Sequence, residues 1–213
     1  MTKRDSDNEI DEMLDDTSLD IIREVINIGI GDAADALSKL VRTPVFIKVP
    51  DIHIINTGDV TDYIKGEMKC LGVYMAQKFK GTINGRTLLF FTKECSISFL
   101  NAIYGDTVKT SSLNETGILT LNEVGNIIMV SCISRISDML QSSVSLDLPE
   151  VTVEISDNYF QNLLKRMINL DKTIVIKNAM EIKERDIRGY IFVLLNFEDF
   201  SFVLDTLKNN MKI

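Results

Sequence analysis

Two stretches of the chain, DIIREVIN at 20–27 and LTLNEVGN at 119–126, each carry a glutamate and an asparagine three residues apart: Glu24 with Asn27, and Glu123 with Asn126. A proline follows each asparagine after 22 intervening residues, Pro50 and Pro149, and every member of the first set recurs 99 positions later. On a helix this spacing puts both side chains on one face, as a small platform with a carboxylate that accepts and an amide that donates and accepts. Such a platform can hold water. Hydrolysis of an acyl phosphate requires no nucleophile from the protein, because water attacking phosphorus in line has only to be oriented. Asn suits that task, as Gln does in small GTPases, since its amide binds water at any physiological pH. The Glu could instead pair with a lysine on a partner, fixing register and drawing that lysine away from the phosphoryl group.

A Glu and an Asn at this spacing also occur on ordinary helix surface, where such pairs support the helix by only about 0.2–0.5 kcal/mol. Thr120-Leu-Asn-Glu123 has, moreover, the form of a capping box that would start a helix at Thr120. Asn114 is an equally good cap, and the apolar run GILTL at 117–121 continues the helical pattern upstream. Recurrence together with two of the chain's three prolines lifts the pairs above ordinary surface. Duplication by itself would nonetheless copy any pattern.

Other chemistry has little to stand on. His53 is the only histidine and sits in an apolar strand as a core or edge residue, so there is no His/Cys cluster for zinc and no base for a serine nucleophile. A phosphate-cradling glycine loop of the P-loop type is absent. Gly29 and Gly31 fall in a helical pattern and allow close packing, while Met129 and Met139 read as core filler. Cys70, Cys95 and Cys132 are odd in number, widely spaced and in apolar context, as reduced core thiols of a cytoplasmic protein would be.

The elements that must position the pairs follow from periodicity. Thr17 followed by Asp20 has capping-box spacing and opens a helix to about 41, with Leu19, Ile22, Ile26, Ala33, Leu37 and Leu40 on one side. Asp20, Glu24, Asn27, Gly31 and Ser38 lie on the other. A strand at 45–55 containing Pro50 reads as an edge or bulge, and a short helix covers 58–65. Strands at 69–78 and 83–92 form a hairpin through Asn84-Gly85, and a helix at 93–105 ends on Gly105. The second half repeats the order: helix 114–141, strand 143–155, short helix 157–167, strands 172–182 and 188–197, helix 198–210. The reading is an α+β fold, internally duplicated and pseudo-twofold, with two three-stranded halves joined in an antiparallel sheet of about six strands and both long helices on one face. Residues 1–16 form an acidic flexible tail, and 17–213 a single domain of two repeats, about 17–105 and 114–211.

The 213-residue chain is 45% hydrophobic, enough for a packed core. Its net charge of -8 and pI near 4.8 argue against a nucleic-acid groove or an anionic membrane surface. The N-terminus lacks a secretory h-region, and no run of about 18 apolar residues stands out as a bilayer span. A cytoplasmic protein without membrane insertion is expected.

The doubled pattern Asp/Ser-x-x-x-Glu-x-x-Asn followed by Pro resembles the CheC family of chemotaxis phosphatases, related to CheX and FliY. The first copy is complete in Asp20, Glu24, Asn27 and Pro50, and INIGIGDAADALSKL is similar to the family's continuation of the helix. The second keeps Glu123, Asn126 and Pro149, with Leu119 in place of the leading Asp or Ser. The resemblance covers about residues 17–210. It implies hydrolysis of the aspartyl phosphate on a CheY-like response regulator, Glu24 and Glu123 engaging the receiver's lysine and Asn27 and Asn126 orienting water. Asp20 would border the first site, Pro50 and Pro149 would be structural, and Mg²⁺ would belong to the receiver, the chain having no cofactor of its own. CheD is a possible further partner. Because Leu119 replaces an acid, the first site is expected to carry at least half of the activity. A non-catalytic adaptor for a phosphorylated receiver or a flagellar-switch partner is the alternative.

Overall fold

The computed structural model describes residues 16–48, 51–65, 71–105, 110–141, 143–165, 172–182, 186–196, 202 and 205–206. The acidic tail up to residue 15, Pro50, Cys70 and most of the expected last helix lie outside them. The chain runs α1 (Asp16–Val41), β1 (Phe46–Ile47), β2 (Asp51–Asn56), a 3₁₀ turn (Thr57–Asp59), α2 (Val60–Lys65), β3 (Leu71–Gly81), β4 (Gly85–Thr92) and α3 (Lys93–Tyr104). It continues with α4 (Glu115–Met139), β5 (Val144–Leu146), β6 (Glu150–Ile155), α5 (Ser156–Lys165), β7 (Lys172–Ile182) and β8 (Ile187–Asn196).

Local chemistry sets several of these boundaries. Asn114 caps α4, its Oδ1 accepting from the Gly117 amide at 2.8 Å, and Thr92 caps α3 by accepting from the Cys95 amide at 3.1 Å. The alternative capping box at Thr120 does not form: Thr120 lies inside α4, its hydroxyl donating to the Thr116 carbonyl at 2.9 Å and lying 2.9 Å from the Tyr104 hydroxyl. The box expected at Thr17 is likewise absent, because α1 already begins at Asp16 and the Asp20 carboxylate turns to Arg23. Gly105 ends α3 at φ 74°, as its lack of a Cβ permits.

All strands join one antiparallel sheet in the order β1-β7-β8-β4-β3-β5, with β2 also on β7 and β6 also on β3. Among the described residues the sheet has the six long strands expected and two short ones, since 45–55 and 143–155 are each interrupted. The strands of the two halves interlock in the sheet rather than lying side by side. β2 pairs with β7 and β6 with β3, because α2 and α5 carry the chain across the far side of the sheet before β3 and β7 begin. At the second interruption Phe79 faces Leu146 but Ala76 faces Glu150, so β3 residues 77–78 oppose 147–149, a bulge with Pro149 in it.

Both sheet faces are covered, which is why the central strands read as apolar runs rather than clean alternations. On one side α1, α3 and α4 bury Val73, Met75, Leu89, Phe91, Ile176, Met180 and Ile191. On the other, α2 and α5 bury Tyr74, Leu88, Phe90, Val175 and Phe192, with Tyr74 stacked on Tyr159 at 4.0 Å. The inner stripe of α1 is Ile21, Val25, Ile26, Ile30, Ala33, Leu37 and Val41, at 3.6-residue period. Ser38, expected on the polar stripe, is half-buried and ties the chain after the helix by accepting from the Val45 amide at 3.0 Å. α4 is long and apolar enough by length and composition to cross a bilayer; here its apolar side, from Leu121 to Ile136, is packed against α1 and the sheet.

Candidate functional site

Ile21 and Val25 at the start of α1 share a core with Ile136 and Leu140 at the end of α4, while Leu37 and Val41 share one with Leu121 and Val124. The two long helices therefore lie antiparallel. Gly29 packs against Cys132 between them, so Glu24 and Glu123 fall on opposite sides of that crossing, about 20 Å apart along the axis at 1.5 Å per residue. The structure brings each Glu next to its own Asn and keeps the two pairs apart. Glu24, Asn27 and Glu123 are exposed, and Asn126 is half-buried.

The surroundings of the two pairs differ. Beside the first, Asp20 accepts from Arg23 Nη1 at 3.1 Å on the surface, and Gly31 is exposed one turn beyond Asn27. Beside the second, the position of Asp20 is taken by Leu119, 60% exposed, and Ile127 is exposed next to Asn126. The first platform is ringed by charge and the second by apolar surface.

Beneath the second pair lies a residue that sequence reasoning missed. Gln77, the seventh residue of β3, is 2% exposed, and its Nε2 donates both to Asn126 Oδ1 at 3.0 Å and to the Asp147 carbonyl at 2.9 Å. Three features of the fold bring these groups together. Gly125 has no side chain, where a Cβ would stand 2.9 Å from Met75 Sδ, so α4 settles onto β3. The bulge at 147–149 frees the Asp147 carbonyl from the ladder. Gln77 points to the helix face of the sheet, between Met75 and Phe79. The signal in the sequence was a lone amide inside the apolar run GVYMAQKF.

The orientation of this chain is set by its end. A backbone carbonyl only accepts, so the Gln77 atom facing Asp147 is the nitrogen; the same nitrogen then requires an oxygen from Asn126, whose NH₂ is left facing outward. Among the described residues Gln77 Oε1 has no partner, and an unpaired buried acceptor costs about 1–3 kcal/mol. Among the described residues, Asn178, the seventh residue of β7, is fully buried with both amide atoms unpartnered, and the Asn27 side chain accepts no hydrogen bond.

Pro149 sits half-buried in the bulge, and Pro50 lies outside the described residues. His53 is exposed on β2 with its ring 4.9 Å from Tyr63, an edge residue. Cys132 is buried in the helix interface, where desolvation pushes its thiol up to about 12; Cys95 is half-buried. Among the described residues no three His, Cys, Asp or Glu side chains gather where a metal ion could be held.

No family model matches the chain. A curated relative, CheY-P phosphatase CheC of Bacillus subtilis, is 19% identical over 189 residues, which is 85% of this chain and 90% of CheC. The crystal structure of Thermotoga maritima FliY superposes with a TM-score of 0.68 at 18% identity, over 92% of this chain and 98% of the crystallised chain. The chain is similar to CheC over most of its length and has the fold of FliY and CheX. The fold is also that of a chain in the H. pylori FliG–FliM complex, at a TM-score of 0.63 and 12% identity over 89% of this chain and 100% of that one.

Proposed function

We propose that this protein hydrolyses the aspartyl phosphate of a CheY-like response regulator. The observation that carries the reading is a Glu/Asn pair on the outer face of each long helix, on a rigid support and open to a partner. Kinship to a CheY-P phosphatase supplies the substrate class. Glu24 and Glu123 pair with the receiver's lysine, and Asn27 and Asn126 hold the attacking water. The water oxygen bonds to phosphorus, the bond to the aspartyl oxygen breaks, the carboxylate is released, and the water's protons leave with inorganic phosphate or solvent. Positioning supplies the acceleration, as expected where the transition state asks little covalent chemistry of the enzyme.

Asp20 borders the first site, and Pro149 shapes the bulge behind the second. Mg²⁺ resides on the receiver, and this chain contributes no cofactor. The reaction takes place in the cytoplasm, with CheD as a possible modulator to which no residues are assigned. An adaptor that binds phosphorylated receiver without turning it over is favoured by one observation, the shared fold of a FliG–FliM chain.

Receiver dephosphorylation with and without this protein separates the two. Acceleration that falls in Asn27→Ala and Asn126→Ala singly and vanishes in the double variant, with receiver binding retained, supports the phosphatase. Phosphorylation-dependent binding with no acceleration across the host's receivers supports the adaptor and overturns the phosphatase.

A further inference from the structure

Resting on the phosphatase reading, we propose that Gln77 is a positioning residue that fixes the amide of Asn126, so that the second site is held ready with its NH₂ outward while the first is not. The relay runs from the Asp147 carbonyl through Gln77 Nε2 to Asn126 Oδ1, over contacts of 2.9 and 3.0 Å. Each link is a donor meeting an acceptor, and reversing either amide would set like atoms against each other. An Asn on an exposed helix face otherwise turns freely about its side-chain bonds, and fixing it for the reaction costs entropy at each turnover. Gln77 removes that cost in advance.

The unpartnered Gln77 Oε1 is the second observation. A buried amide with an unmet acceptor is a poor choice for stability, where Met or Leu would fill the same space without penalty. Holding Asn126 is what the amide does in return. At the corresponding place in β7, Asn178 is one methylene shorter and reaches nothing, although Lys48 and Asp147 make the same backbone contact, each amide donating at 2.9 Å to the strand beside it. The first site therefore lacks the relay, and its Asn27 is positioned only when a receiver docks. This reverses the expectation from Asp20 and Leu119, and gives the larger share of turnover to the Asn126 site.

Two measurements on the full chain test this. In ¹⁵N spectra, with side-chain amides assigned by their loss in Asn27→Ala and Asn126→Ala, the Asn126 NH₂ is more ordered than that of Asn27. Gln77→Met brings it to the mobility of an exposed Asn and leaves Asn27 unchanged. In receiver dephosphorylation, Gln77→Met lowers kcat about tenfold in the Asn27→Ala background with KM within about twofold, and adds no further loss once Asn126 is alanine. An Asn126 amide as mobile as Asn27 in the wild type, or equal losses of kcat in both backgrounds, overturns the proposal. Absence of any acceleration by the wild type overturns the phosphatase reading instead, and the spectra still decide whether Gln77 holds Asn126.

Discussion

Gly29 of α1 lies against the backbone of Cys132 in α4, so close that a Cβ on Gly29 would stand 2.8 Å from the Cys132 carbonyl oxygen. One turn on, Asp32 and Arg135 bridge the same two helices at 3.6 Å on the surface. The glycine sets how near the helices approach, and hence the spacing of the two Glu/Asn pairs.

Gly29→Ala gains about 1 kcal/mol of helix propensity but forces the helices apart against backbone, for a net loss of about 1–2 kcal/mol. Gly31→Ala meets nothing within 4 Å and is expected to gain up to about 1 kcal/mol. Urea titrations of the two variants should move the midpoint in opposite directions. Shifts of the same sign would contradict the packing described.

Asn114, not Thr120, starts α4, so Glu123 is free of any capping duty. Asn114→Ala should lower stability by about 1 kcal/mol, whereas Glu123→Gln, at an exposed position, should change it by less than about 0.5 kcal/mol. Thermal melts compare the two directly. Loss of stability in Glu123→Gln equal to that in Asn114→Ala would return Glu123 to a structural role.

Burial raises the Cys132 thiol from 9.0 to about 12. The unfolded chain gives up this proton at the lower value, so burying the neutral thiol contributes its full stability below about pH 9 and loses it as pH rises toward 12. Cys132→Val should lose less stability than the wild type between pH 8 and pH 10. Iodoacetamide at pH 8 should modify half-buried Cys95 and spare Cys132 until the chain is unfolded, which peptide mass spectrometry reads out.

Much of the local structure was legible. The helix carrying Glu24 and Asn27, the hairpin turn at Asn84-Gly85, the Gly105 terminus and the strand at 172–182 follow from period, turn chemistry and caps that act within a few residues. Thr17 and Asp20 have capping spacing, yet Thr17 already lies within the helix, where local spacing alone mimics a cap. Strand partners across the two halves were not legible, for a different reason. Alternation marks which face of β2 is apolar, yet Ile52 finds its neighbour in Ile176, and no local rule reaches that far.

The sequence by itself determined that two Glu/Asn pairs ride on the outer faces of two amphipathic helices, because a period of 3.6 sorts side chains before any partner is present. The tertiary structure alone decided which buried side chain stands behind one of them. Gln77 and Asn126 are 49 positions apart, and their contact exists only because Gly125 lowers α4 onto β3 and the bulge at Pro149 turns the Asp147 carbonyl inward. Polar contacts of that kind depend on angstrom-level packing between distant elements, which residue types and spacing do not encode locally.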